Sequence, residues 1–332
     1  MLPPHRPNTV LHARYELLET VGQGGMGCIY KAADTRLPGR FCAIKEVHAD
    51  PFSSPEDRTQ LHDQFLTEAS VLARLDHPNL PKVSDFFTDD GREYLVMDFV
   101  PGQDLKQMID AQIQVGELFE INMVMDWAEQ ILDTLIYLHE RDSPVVHRDI
   151  KPANIKLMPD GRIKLVDFGL VKLLIPDEQR TLTVMQGRGS ALYTPLEQYG
   201  GDGGSTDVRS DIYSFGATLY HLLALKVPAD AKARFLNPRV LKPLAQLNPM
   251  VTSEIESGIE WAMAMHPDDR PNSIRQLRDV LNGEGTIPQS ESAAVVGGLS
   301  AENKIIDAFL ANQLLIFITG ILAFIAVVLT LI

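Results

Sequence analysis

The sequence predicts an α+β protein in two lobes, a small strand-rich one followed by a larger helical one, with a single apolar helix after them. Three observations carry this expectation. Residues 15–99 contain short stretches of β-branched and aromatic residues, broken by turn signals at Pro38-Gly39 and Asp89-Asp90-Gly91, as antiparallel strands require. After Val100-Pro101-Gly102 the apolar period becomes helical, most plainly where Ile121, Met125, Ala128, Ile131, Leu132, Leu135 and Leu138 share one face. Leu314–Ile332 then runs nineteen residues without a charge, close to the length that crosses a bilayer.

Length and composition set bounds. The 332 residues exceed one modest core, and 45% hydrophobic with 22% charged residues is ordinary for a globular chain. A net charge of −14 argues against nucleic acid as a partner and against simple adhesion to anionic lipid. Two cysteines, Cys28 and Cys42, give no disulfide framework and no Cys-based metal site, which fits a reducing compartment. Residues 1–14 read as a loose arm, and no apolar run precedes Tyr15, so no signal peptide is expected.

The strand-rich part opens on Gly22-Gln23-Gly24-Gly25-Met26-Gly27, four glycines in six positions. Backbone without Cβ atoms lets N–H groups approach phosphate. A dinucleotide-binding turn is the competitor, but it should open a helix and meet an acid about 20 positions on. Here Ile29 and Tyr30 follow instead, then a turn, then the strand Phe41-Cys42-Ala43-Ile44-Lys45, which ends in a cation. Residues 50–63 read as a loop into a helix that begins near Leu61 and carries Glu68. His77-Pro78-Asn79-Leu80 ends that helix. Strands are expected around Lys82–Thr88 and Glu93–Phe99, then helices over roughly Leu105–Val115 and Phe119–Arg141.

The chemistry concentrates in His147–Gly169, H-R-D-I-K-P-A-N-I-K-L-M-P-D-G-R-I-K-L-V-D-F-G. Pro159-Asp160-Gly161 supplies a turn, and Ile163 and Leu165 alternate with Arg162 and Lys164 as in a half-buried strand. Asp149, Asn154 and Asp167 collect hard oxygen ligands suited to Mg²⁺, with an acid left to handle a proton. Taken singly, Asp149 or Asp167 reads better as a solvated turn residue. Together, H-R-D-x-K-x-x-N followed by D-F-G fixes too many positions for chance.

With these residues the chain resembles a Hanks-type bacterial Ser/Thr protein kinase, from about Tyr15 to Leu281. The resemblance implies a kinase domain over 15–281, with an N-lobe at 15–99, a hinge at 98–102 and a C-lobe at 103–281. It implies that ATP is held by Gly22, Gln23, Gly24, Gly25, Met26, Gly27, Ile29, Ala43, Lys45, Asp98, Val100 and Asp104, with Met97 guarding the rear of the pocket. Glu68 would pair with Lys45, Asn154 and Asp167 would hold Mg²⁺, Asp149 would act as catalytic base and Lys151 would neutralise the moving phosphoryl group. Protein Ser/Thr hydroxyls would be the acceptors and the role one in signalling. Autophosphorylation is expected between 169 and 197, with Thr181, Thr183 and Ser190 as candidates and Arg148 as phosphate partner. Glu197 would pair with Arg270.

Three positions depart from the family pattern. Leu196 replaces the proline before Glu197, Ser190 replaces a threonine whose hydroxyl bridges Asp149 and Lys151, and Lys156 stands where an apolar side chain covers adenine. Its methylene stem can serve there while the ammonium reaches solvent. Two other functional classes compete: a catalytically dead scaffold, which would be expected to lose one of Lys45, Asp149, Asn154 or Asp167, and a small-molecule phosphotransferase, which would lack the activation segment and the Glu197–Arg270 pair. All of these features are present.

The C-terminal part reads as a flexible linker, 282–312, and a transmembrane helix, 313–332. Nineteen residues at about 1.5 Å each reach about 28 Å, near the roughly 30 Å of hydrocarbon, and an all-round apolar helix has no face for water. With nothing after Ile332, the expectation is a single-pass tail anchor with the catalytic lobes in the cytoplasm.

Overall fold

A computed structural model describes residues 4–24, 27–47, 54–167, 190–199 and 207–288. The chain divides into two units, Met1–Thr286 and Ile287–Ile332, and every element described belongs to the first.

Six strands form one antiparallel sheet: β1 (Val10–Leu11), β2 (Tyr15–Gly24), β3 (Gly27–Asp34), β4 (Phe41–Val47), β5 (Val83–Asp89) and β6 (Arg92–Asp98), in the order β1-β2-β3-β4-β6-β5. Alternation along β4 sends Cys42, Ile44 and Glu46 to one face and Ala43 and Lys45 to the other. The outer face closes a small core of Leu11, Tyr15, Leu17, Tyr30, Ile44, Phe87, Tyr94 and Val96. The inner face meets α1 (Pro55–Leu72) through Phe65, Ala69 and Leu72, and that core continues unbroken into the helical lobe. The β5–β6 turn has Asp90 at φ 51° and Gly91 at φ 72°, the left-handed pair of a type I′ hairpin.

Two expectations are corrected. The arm is not loose: Asn8 N–H donates to the Leu17 carbonyl at 2.7 Å, Leu17 N–H to Thr9 at 2.9 Å, and Val10 and Leu11 pair with β2. Leu11, 3% exposed, pins it to the outer core. Helix α1 begins six residues before Leu61, with Glu56 in its first turn, where an acid suits the positive end of the helix dipole.

The helical lobe contains α2 (Leu105–Val115), α3 (Ile121–His139), α4 (Val208–Ala224), α5 (Ala231–Leu236), α6 (Leu244–Leu247), α7 (Ser253–Ala262) and α8 (Ile274–Leu281). Every residue of α4 from Ser210 to Ala224 is buried, so this helix is the axis on which the others pack. A second, small sheet orders β7 (Gln103–Asp104), β8 (Ile155–Leu157) and β9 (Ile163–Leu165) as β7-β8-β9. Among the described residues no helix is long and apolar enough to cross a membrane; residues 313–332 lie outside them.

Between the lobes, Gly102 has φ 102°, and a Cβ built there would lie 2.1 Å from the Leu157 carbonyl oxygen. No side chain fits without moving β8. Gly102→Ala is therefore expected to cost about 1–3 kcal/mol, read as a lower urea midpoint with unchanged m-value. An unchanged midpoint would mean that β8 yields freely.

Candidate active site

The site is built outward from Asp211, one turn into α4 and 0% exposed. Its carboxylate accepts the His147 N–H at 2.8 Å, the Arg148 N–H at 2.8 Å, and lies 2.9 Å from His139 Nε2. Burial opposes ionisation, yet the His139 contact and the Arg148 amide hold its pKa below the ordinary carboxylate value. The two amide bonds hold the chain in a sharp bend, with Arg148 at φ 68°, a conformation that costs a non-glycine residue about 1–2 kcal/mol.

That bend delivers Asp149. Its Oδ2 accepts Lys151 Nζ at 2.7 Å and Asn154 Nδ2 at 2.9 Å, and its carbonyl accepts Asn154 Nδ2 at 2.8 Å. Lys151 also donates to Ser190 Oγ at 2.8 Å, so the lysine, rather than the hydroxyl, is the bridge. Pro152–Asn154 form a single 3-10 turn before β8. From the far end of β9, Val166 N–H donates to the Asn154 carbonyl at 2.8 Å and so sets Asp167, at φ 62°, beside Asn154. Lys45, flanked on β4 by Ile29 and Leu95, makes an ion pair with Asp167. Glu68 lies on the same side of α1 as Phe65 and Leu72.

The glycine-rich turn forms the β2–β3 hairpin, with Gly22 opposite Ile29, Gln23 opposite Cys28 and Gly24 opposite Gly27. Gly25 and Met26 lie outside the described residues, as do Thr181 and Thr183. At the hinge, Asp98 spends its amide on the Lys82 carbonyl at 3.0 Å, so that amide is already committed. Val100 is buried. Asp104 caps α2, accepting from Gln107 N at 2.9 Å in a reciprocal capping box. Met97 joins Lys45, Leu72, Leu75, Pro81, Val83 and Leu95 around a cavity on the inner face.

Lys156 makes one contact beyond the expectation: its ammonium, in an exposed position, donates to the Gly102 carbonyl at 2.8 Å. Its cross-strand neighbour Lys164 donates to the Leu80 carbonyl at 2.9 Å, and burial pushes the Lys164 pKa down. Leu196 leaves the Glu197 geometry intact. Glu197 receives both terminal nitrogens of Arg270, at 2.6 and 3.0 Å, while carbonyls of Ala264, Met265 and Arg209 take the rest of the guanidinium. All five N–H donors of this buried arginine are thereby used.

Sequence reasoning missed Asp211, His139 and His221. The signal for Asp211 was an acid inside an apolar helical run, where an uncompensated charge is costly. His221 is harder to foresee: its Nδ1 lies 2.6 Å from the hydroxyl of Tyr193, which closes the 3-10 turn after Ser190.

Comparison with known proteins bears on this geometry. The protein kinase domain family matches residues 15–280. Serine/threonine-protein kinase C of Synechocystis sp. is 34% identical over 287 residues, covering 83% of this chain and 51% of that protein. The DNA damage-responsive serine/threonine-protein kinase RqkA of Deinococcus radiodurans is 32% identical over 279 residues, 81% of this chain and 39% of that protein. The chain thus spans about half or less of the length of these curated relatives. The kinase domain of Mycobacterium tuberculosis PknI superposes with a TM-score of 0.63 at 26% identity, covering 85% of this chain and 100% of that one.

The Tyr193–His221 contact gives a pH prediction. Burial pushes His221 down to about 4, with Lys106 of α2 lowering it further and Asp110 opposing. The neutral imidazole is the folded form, so its contribution is complete above the unfolded pKa of about 6.5 and is lost as pH falls towards 4. The loss should be on the order of 3 kcal/mol. Urea unfolding from pH 7.5 to 4.5 should show a shallower acid slope in His221→Gln, and equal slopes would place the acid sensitivity elsewhere.

Proposed function

Because this chain belongs to the protein kinase family, we propose that it transfers the γ-phosphoryl group of Mg-ATP to serine or threonine hydroxyls of proteins, in a signalling role. One observation carries the reading: Lys151 bonds Asp149 and Ser190 at once, at 2.7 and 2.8 Å, while Asn154 locks the same carboxylate. An acid held this way by a cation and an amide, beside a second acid at Asp167, is set up for phosphoryl transfer rather than for packing.

The donor set suits the metal. Asn154 donates both amide hydrogens to Asp149, which leaves its carbonyl oxygen, with the Asp167 carboxylate, as hard ligands for Mg²⁺. Bound Mg-ATP supplies the phosphoryl group and neutralises charge on its oxygens. Lys45, already beside Asp167, contributes a positive charge where the phosphates would lie. Asp149 orients the acceptor hydroxyl and takes its proton, and Lys151 stabilises negative charge as it develops. Ser190 keeps Lys151 in line.

The catalytic half of this reading is tested with full-length protein, a generic basic protein substrate, Mg²⁺ and labelled ATP. Lys45→Met and Asp167→Asn should each lose roughly 10²–10³-fold in kcat, the scale for removing a charge-stabilising group. Retained activity in either would refute the assignment. Mass spectrometry of the same samples should find phosphate on Thr181, Thr183 or Ser190, the proposed autophosphorylation sites. A parent enzyme that labels substrate but never itself would remove that part alone.

Residues 313–332 are proposed as a membrane anchor that keeps the lobes on the cytoplasmic side, where ATP is. The support is the uncharged run Leu314–Ile332. In cell fractionation the full chain should sediment with membranes and resist carbonate, while a version ending at 307 should stay in the supernatant. A full chain soluble without detergent would rule out the anchor.

A further inference from the structure

Glu46 follows Lys45 directly on β4, so the two side chains leave opposite faces of the sheet. On the outer face the Glu46 side chain is wholly buried. Tyr30 donates its hydroxyl to Oε2 at 2.7 Å, and Arg92 Nη1 reaches Oε1 at 2.5 Å. The last wall of this pocket comes from far away in sequence. His5 N–H donates to the Tyr30 hydroxyl at 3.0 Å, and its Nε2 lies 2.8 Å from Tyr94 OH, 3.2 Å from Arg92 Nη1 and 3.8 Å from Glu46 Oε1. The imidazole sits between the Tyr30 and Tyr94 rings, 5.9 and 6.1 Å from their centroids. Further along, the segment is tied down by its bonds to Leu17, and His12 stacks on Phe87 at 4.7 Å.

The same residue also touches the glycine-rich turn. A Cβ on Gly27 would lie 1.9 Å from the Glu46 carbonyl oxygen, so β3 runs hard against this point of β4. Three features therefore meet at Glu46: the exit of the glycine turn, Lys45, and the segment containing His5.

We propose that residues 4–11 form a strap that positions Lys45, with His5 closing the Glu46 pocket and so fixing the strand that aims the Lys45 ammonium at Asp167. His5 is a positioning residue and touches no reacting atom. The proposal rests on the phosphotransfer reading only in taking a nucleotide as the ligand of Lys45.

The test uses the full chain and the fluorescent nucleotide mant-ADP with Mg²⁺, well below the unfolding temperature of each variant. His5→Ala should weaken binding about five- to tenfold, the size of one lost hydrogen-bonded contact. His5→Gln, whose amide can still meet Tyr94 and Arg92, should recover most of it. Amide exchange should quicken over 41–47 in His5→Ala and stay unchanged over 121–139. A folded His5→Ala that binds like the parent overturns the strap, even if it melts earlier, because a purely structural role would move stability alone. Failure of His5→Gln to recover binding also overturns it. A parent chain that does not bind mant-ADP overturns the nucleotide reading itself, and this proposal with it.

Discussion

The carboxylate of Asp211 holds the helical lobe and the chemistry in one frame. A fully buried acid is tolerable only when its oxygens are satisfied, and here two backbone amides and a histidine satisfy them. Its place in the first turn of α4 adds the favourable end of the helix dipole. In return, the charge-assisted bonds hold Arg148 in a left-handed conformation that an arginine would not keep alone. The direction of Asp149 is thus set by the buried helix α4 together with Lys151 and Asn154 of its own loop. Burial of α4 on every side makes that reference point stiff.

A second set of bonds decides which parts can pivot. Asn79, just after α1, accepts the Leu165 N–H at 2.9 Å and donates to the Ile163 carbonyl at 2.8 Å and to Gln130 at 3.0 Å. Lys164 adds its bond to Leu80. The segment leaving α1 is therefore stitched to β9 and α3 of the helical lobe. The strands of the other lobe join that lobe at a glycine, Gly102, pressed on the Leu157 carbonyl. The Lys45–Asp167 ion pair is a further contact between the strands and the loop after β9.

How much of this was legible in the sequence depended on range. Local signals did well: α2 has the bounds expected of it, and the Pro159-Asp160-Gly161 turn lies where its residue types put it. The spacing from His147 to Asp167 also named residues that the fold brings together, because their contacts lie within a few positions or across one short hairpin. Contacts between distant segments were legible only where the family resemblance supplied them, as for Glu197 with Arg270 and Ser190 with Lys151. Asp211 reaches back 64 positions to His147, and His5 reaches 87 to Arg92. Composition made residues 4–14 look like an arm, since the partners that bury Leu11 and His5 come from β2, β3 and β6. The start of α1 was missed for a different reason: its first turn is polar, and apolar period cannot mark a turn with nothing to bury.

The departures from the family pattern show how the frame absorbs substitution. Loss of a proline at Leu196 leaves Glu197 in place because its geometry is set by Arg270, whose five donors are held by four separate residues. Ser190 keeps one hydroxyl contact, and its carbonyl accepts the Thr194 hydroxyl at 2.9 Å, so its position comes from that turn and not from a methyl group. Lys156 is the instructive case. Its ammonium stays exposed and also donates to the Gly102 carbonyl. The same bond ties β8 to the hinge glycine that presses on it. A lysine at a position where the family pattern has an apolar side chain thus becomes one of the contacts that join β8 to the hinge segment.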